Sequence, residues 1–166
     1  VIGGGHAGVE AAEVSSRMGL SVALITHDVA KIGEMSCNPA IGGIGKSHLA
    51  KEVDALGGLM AKSADKAAIH YRVLNSTKGQ AVRATRVQTD RDLYKRAIQN
   101  YLNQSENLSI IEGSVVDINI ESSVAKSVVA EDGSVYFASA IILTTGTFLG
   151  GIMHTCLLYT SPSPRD

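Results

Sequence analysis

The chain has 166 residues, 45% of them apolar and 19% charged, the size and balance of about one ordinary soluble domain. Its formal net charge of -1 provides no whole-molecule attraction to nucleic acid or an anionic membrane, which leaves only local basic patches for such a role. No apolar run approaches the roughly 18 residues of a membrane span. Two cysteines, Cys37 and Cys156, make no disulfide framework, so a reducing intracellular setting is expected.

The chain opens on VIGGG, with two strand-like residues before the glycines. A buried first strand usually runs about 5 residues, so a first strand cut short is expected. A turn over residues 3–8 leads into a helix over 7–18, whose small residues Gly8, Ala11, Ala12 and Ser15 suit close approach to a sheet, and Gly19 caps it. SVALIT, residues 21–26, has the profile of a buried parallel strand. Strand, glycine turn, helix and strand within about 30 residues make a βαβ unit. A glycine-rich loop over 33–47 follows, then a helix with Leu49, Val53 and Leu56 at helical spacing and Gly57-Gly58 as its stop. Residues 68–75, AIHYRVLN, fit either helix or strand.

A helix is well signalled from Thr89, which can cap it, with Tyr94, Ala97, Ile98 and Tyr101 on one face. The short runs LSIIEG, SVVDINI, AKSVVA and SVYFA predict a small β-meander over residues 108–138, with a hairpin turn at Asp132-Gly133. IILTTG, residues 141–146, predicts another buried strand ending on glycine, and there is no internal repeat. The last residues, 156–166, CLLYTSPSPRD, change character abruptly. They read as translated sequencing-adapter sequence in preference to a Ser/Pro-rich tail, which leaves Cys37 as the informative cysteine. The native unit is therefore expected to span residues 1–155, truncated at both ends.

Gly3, Gly5 and Gly8 satisfy G-x-G-x-x-G between a strand and a helix, the context in which that pattern binds a dinucleotide. Gly3 permits the turn, Gly5 leaves room for a pyrophosphate, and Gly8 lets helix and strand pack closely. Thr26 stands near the position of the usual ribose-binding carboxylate, with Asp28 two residues on. A second pattern, AIGGIGKS (residues 40–47), nearly spells a phosphate loop, with Lys46 for β/γ-phosphates and Ser47 for magnesium. Its approach, KIGEMSCNP, is loop chemistry and not a buried strand, and no later apolar strand ends in a magnesium-holding Asp, so no metal site is expected. The segment following the second strand of a flavin-binding fold returns across the cofactor and needs glycines and a few polar atoms, and residues 33–47 occupy that slot. With one cysteine there, a redox dithiol is not expected.

The strings GGGHAGVEAA, MSCNPAIGGIGKSHLAKEVDALGGLMAK, LNSTKGQAVRATRVQTDRDLY and LTTGTFLGG together closely resemble the glucose-inhibited division protein A family of tRNA uridine 5-carboxymethylaminomethyl modification enzymes, from residue 1 to about 155. The resemblance implies a Rossmann-like α/β FAD-binding domain with a mostly parallel central sheet, as the N-terminal portion of a longer protein. It implies a cytoplasmic or organellar enzyme, homodimeric when full length. Such an enzyme reduces its FAD with NADH and acts with a GTPase partner on C5 of the wobble uridine of tRNA, using methylenetetrahydrofolate as one-carbon donor.

By position, Gly3, Gly4, Gly5, His6, Ala7 and Gly8 would hold the FAD pyrophosphate, Val115 would meet the adenine end, and Thr145, Gly146 and Thr147 would form the second flavin-contact turn. Cys37 would be catalytic, as a thiolate adding to uridine C6 or a thiol near the flavin that handles the one-carbon unit, or else a small buried hydrophobe. Lys78, Arg83, Arg86, Arg91, Lys95 and Arg96 form the densest basic region, in which Arg83, Arg86 and Arg91 would contact tRNA phosphate or form a solvated face. A small-molecule FAD/NAD(P)H oxidoreductase and a P-loop nucleotide-binding module are the competing readings.

Overall fold

The computed structural model describes residues 1–147 and 149, together with the backbone of two short strands further on. Ile2 leads through the glycines into α1 (His6–Arg17), and β1 (Val22–Thr26) follows. After a return loop come β2 (Ala40–Gly42), α2 (Lys46–Ala55), α3 (Leu59–Lys66), β3 (Ala68–Leu74), β4 (Ala84–Thr89) and α4 (Arg91–Asn103). The chain continues through β5 (Leu108–Glu112), β6 (Val115–Glu121), β7 (Val124–Ala130) and β8 (Val135–Phe137), and the backbone pair β9 (Met153–Thr155) and β10 (Leu158–Thr160) runs antiparallel. The adapter-like segment 156–166 otherwise lies outside the described residues.

A parallel sheet forms the middle layer. β5 pairs with β1 from Val22↔Leu108 to Thr26↔Glu112. Ile2 bridges Ile25 of β1 on one side and Leu143 on the other, both parallel. Side chains alternate along β1, as the strand's period of two requires. Val22 and Leu24 enter a core formed with Val9, Ala12, Ile32, Leu59, Tyr94, Ile98 and Leu102, on the helical side. Ile25 joins Ile2 and Val128 on the opposite side, where the β6–β7–β8 meander covers the sheet. Fully buried Leu24 alone contributes about 1.5–3 kcal/mol through removal from water. A third layer, the antiparallel sheet β2–β4–β3, lies beyond α2 and α3.

Several expectations are met by this arrangement. The βαβ unit is present, with α1 burying Gly8, Val9, Ala12 and Ser16. The Asp132-Gly133 turn joins β7 to β8, with Gly133 at φ +85° and the Asp132 carboxylate accepting from the Ser134 amide at 2.9 Å.

Others are corrected. Residues 108–112 belong to the parallel sheet and not to the meander, which begins at Val115. The cap of α4 is Asp90, whose Oδ1 accepts from the Leu93 amide at 2.9 Å; Thr89 is the buried last residue of β4. The ambiguous 68–75 stretch is strand β3. The helix marked by Leu49, Val53 and Leu56 is present as α2, but Leu49 and Leu56 are 64% and 76% exposed and α2 buries Ser47 and Ala50. The buried strand expected over 141–146 is reduced to one parallel bridge at Leu143: Ile2 N donates to Ile142 O and Thr144 N to Ile2 O, and Leu143 is exposed.

Candidate functional site

Strand order decides where a ligand can sit. The chain begins in the middle of the parallel sheet, moves outward through β1 to β5, and returns to the other side of Ile2 at Leu143. The order therefore reverses at Ile2, and in open α/β sheets ligands bind at the carboxyl ends of strands at such a switch point. A cleft of about 530 Å³ opens there. Its walls come from four separated segments: Ile2–Gly5, parts of the stretch from the end of β1 to Cys37, Gly113–Val115, and Thr144–Gly146, with Arg91 from α4 completing it.

The glycine turn forms one wall. Gly3 has φ +105°, and a Cβ there would collide with the Thr144 carbonyl. A Cβ on Gly8 would collide with the Gly3 carbonyl and lie 2.7 Å from Thr144 Oγ1. That hydroxyl donates toward the Ile2 and Gly3 carbonyls at 2.7 and 3.2 Å, which fixes the turn from beneath. Gly5 differs: a Cβ there would meet nothing within 4 Å, so its place is open cleft. Gly5 is also the N-cap of α1 and offers no side-chain acceptor, and the first turn carries no acid. The leading amides of α1 and its positive dipole end are thus left for an outside anion.

The stretch after β1 forms a second wall. Asp28 accepts from the Ala30 amide at 2.9 Å and pairs with Lys31 at 3.3 Å, so it closes a local turn and is absent from the cleft's lining. Thr26 is buried and lines the cleft. Gly33 N donates to Gly4 O at 3.1 Å, which brings the chain back to the glycine turn. Only the first half of the 33–47 stretch, to Cys37, lines the cleft. Its second half forms β2 and the turn into α2. There Gly42 is required because a Cβ would collide with the Thr85 carbonyl. Lys46 Nζ donates to Ala40 O at 3.3 Å, and burial lowers its pKa. Because β2 runs antiparallel to β4, the strand-to-helix corner a P-loop occupies in a parallel sheet is missing at this turn.

The structure therefore brings Gly3, Gly4, Gly5, Val115, Thr145, Gly146, Cys37 and Arg91 to one cleft. Cys37 is exposed there, so it is not the small buried hydrophobe that was the alternative. Ala7 is exposed on the first turn of α1, and Thr147 is exposed outside the lining. The His6 ring turns inward, 5.6 Å from the Tyr94 ring, and its Nε2 is buried with no hydrogen-bond partner among the described residues. Burial, with a smaller effect of the Lys46 charge, lowers its pKa to about 4. Arg83 and Arg86 lie outside the cleft. Arg83 has no side-chain partner among the described residues, and Arg86 donates to Asn38 Oδ1 at 2.9 Å. Lys31, Glu34 and Ser114 also line the cleft. No motif marks them, because each arrives through the tertiary path of its loop.

The sequence profile described as glucose inhibited division protein A matches residues 1–164. The chain belongs to that family. GidA of Aquifex aeolicus, in its form II crystal, is 41% identical and superposes with a TM-score of 0.92 over 99% of this chain and 27% of that one. This chain thus spans about a quarter of the length of that GidA relative. The GidA-related protein of Thermus thermophilus is 14% identical with a TM-score of 0.64, covering 95% of this chain and 56% of that one. PqsL, a probable FAD-dependent monooxygenase from Pseudomonas aeruginosa, is 15% identical with a TM-score of 0.55, over 81% of this chain and 38% of that one. These two share the fold. No helix among the described residues is long and apolar enough to cross a membrane.

Proposed function

We propose that the cleft holds FAD and that the full-length protein is a flavin-dependent tRNA-modifying enzyme acting on C5 of the wobble uridine. One observation carries the cofactor assignment: the uncapped start of α1 and the bare Gly5 face the same opening, at the point where the parallel strand order reverses. Backbone amides over Gly4–Gly8 suit a pyrophosphate, because amides without nearby side chains approach phosphate closely and the dipole favours its charge. His6 contributes through its main chain, since its ring is committed to Tyr94. Val115, on the far wall, fits the adenine end. Thr145 and Gly146 fit the second contact turn, with Thr147 following it.

The flavin would supply hydride acceptance from NADH and electron transfer to the one-carbon chemistry. Cys37, exposed at the rim, suits a thiol that meets the substrate there, and methylenetetrahydrofolate suits the one-carbon donor. Arg83 and Arg86 suit tRNA phosphate, Arg83 because its guanidinium is uncommitted among the described residues and Arg86 because Asn38 engages only one of its nitrogens there. The GTPase partner, the homodimer and the cytoplasmic setting follow from the family reading and concern the whole protein.

A spectrum of the purified full-length protein tests the cofactor. Bound flavin absorbance is expected, and its absence from protein refolded with excess FAD overturns the reading. Dependence of NADH oxidation on tRNA tests the substrate. Turnover equally fast without tRNA, on a small molecule, would favour an ordinary flavin oxidoreductase. Replacing Arg83 and Arg86 by Ala is expected to weaken tRNA binding and flatten its salt dependence, and unchanged values remove those contacts.

A further inference from the structure

The wall that carries Cys37 does not hold itself in place. Residues 27–39 have little regular structure beyond one short turn at Val29–Lys31. They are instead laid along α4 and the end of β4. Gln99 Nε2 donates to Ala30 O at 3.1 Å and Ile32 O at 3.3 Å. Gly33 sits against Ile98, where a Cβ would lie 2.7 Å from Cγ2. Thr89 Oγ1 contacts Met35 Sδ at 3.1 Å and Pro39 O at 3.2 Å. At the cleft itself Arg91 ties the segment down as well. Arg91 Nη2 donates to Met35 O at 3.0 Å and reaches Glu34 Oε1 at 3.4 Å, and Glu34 through Cys37 line the cleft together with Arg91.

We propose that Arg91 is a positioning residue. It anchors residues 34–37 as a fixed wall of the cofactor cleft, and it is not a tRNA phosphate contact. The proposal rests on the FAD reading of that cleft. Its argument is one of commitment: the Nη2 donor of Arg91 serves a main-chain carbonyl and a carboxylate at once, and both belong to the wall. What sets Arg91 apart from Arg86 is the acid: an arginine held for phosphate is ill served by a carboxylate beside its donors, and Glu34 pairs with Arg91. With the anchor removed, Met35 stays held by its buried side chain and by Thr89, but the main chain running from its carbonyl toward Cys37 loses its hold on Arg91. The cofactor would then have to order it on binding, at a cost in affinity.

The test uses full-length apo-protein titrated with FAD and followed by flavin fluorescence, with tRNA affinity measured across salt concentrations. Arg91→Ala is expected to weaken FAD binding about 3- to 10-fold, the worth of one or two such hydrogen bonds. It should leave tRNA affinity and its salt slope unchanged. Glu34→Ala, a change at a partly exposed side chain, should weaken FAD less, because the Met35 carbonyl bond survives and a 3.4 Å exposed pair is weak. The double variant should bind FAD no worse than Arg91→Ala alone, since both act through one contact. Arg91→Lys, which keeps a donor for Met35 O, should recover part of the loss. Wild-type protein that takes up no FAD overturns the cofactor reading and this inference with it. FAD uptake by the wild type, with equal affinity in Arg91→Ala and Glu34→Ala, overturns the inference alone. Unchanged FAD affinity in Arg91→Ala with weaker, less salt-sensitive tRNA binding assigns Arg91 to phosphate.

Discussion

Adding one methyl group at Gly5 or at Gly8 should produce opposite signatures, because the two glycines are glycine for different reasons. At Gly8 the methyl has nowhere to go. It collides with the Gly3 carbonyl, and Thr144 Oγ1 is 2.7 Å away. Neither is the far end of a flexible side chain: the carbonyl is main chain, and the Thr144 hydroxyl is tied to the Ile2 and Gly3 carbonyls. Helix and strand must part, which for an extra methylene in a packed site costs about 1–3 kcal/mol. Gly5 has φ -72° and ψ -178°, a conformation any L-residue adopts, and a Cβ there meets no atom within 4 Å. Gly5→Ala should therefore fold about as well as wild type, because the gain of up to about 1 kcal/mol from a less flexible unfolded chain is offset by alanine being the poorer N-cap. Its methyl, however, occupies the space a pyrophosphate needs, and FAD affinity should fall about tenfold or more, about 1.4 kcal/mol. Urea unfolding of the full-length apo-protein measures the first quantity and flavin-fluorescence titration the second. Wild-type FAD affinity in Gly5→Ala would mean that the pyrophosphate does not lie over this turn. Wild-type stability in Gly8→Ala would mean that the contact between α1 and the first strand is loose.

The remaining predictions concern the framework around that turn. His6 is held neutral, its pKa depressed from 6.5 to about 4 chiefly by burial. The unfolded chain therefore binds more protons in between, and stability is full above about pH 6.5 and lost as pH falls toward 4, by about 3 kcal/mol. His6→Phe, which keeps a ring beside Tyr94, should remove that share of the difference between urea midpoints at pH 7.5 and 4.5; an identical difference would contradict the assignment. Glu10 accepts from the Leu59 and Met60 amides at 3.0 and 2.6 Å, and so satisfies the start of α3 from α1. Glu10→Ala should cost about 1–3 kcal/mol in unfolding free energy, and Glu10→Gln about half as much, because one acceptor oxygen survives. Asp90→Ala, which removes the cap of α4, should cost about 1 kcal/mol, whereas Thr89→Ser, which keeps the Thr89 hydroxyl, should cost less.

What could be read in advance was local chemistry. Val1-Ile2, the glycines, α1 and β1 follow one another within a single βαβ unit, so spacing and residue type already state the fold there. The meander was legible at Asp132-Gly133 for the same reason, since a turn that needs positive φ announces itself. The LSIIE run was misassigned because its pattern is compatible with either sheet. Only the pairing of Leu108 with Val22 decides, and no local feature of either residue encodes it. The same limit explains α2. Leu49 and Leu56 have the spacing of a core face, yet α2 buries Ser47 and Ala50, small residues that let it approach β2 and α3.

The cleft shows this limit most clearly. Its glycine turn was legible, because the need for bare amides leaves a mark in the sequence. Lys31 and Glu34 left none, and Arg91 was marked only as one of a basic cluster, because nothing in their own neighbourhoods ties them to this cleft. Arg91 acquires its role only when α4 is laid beside the return loop, and that placement is set by Ile98 against Gly33 and by Gln99 on the carbonyls of Ala30 and Ile32. Close main-chain approach constrains residue type at the point of contact. A side chain that reaches across a tertiary gap constrains only the geometry of what lies between. The first is visible in a single sequence, and the second becomes visible when the elements have been placed.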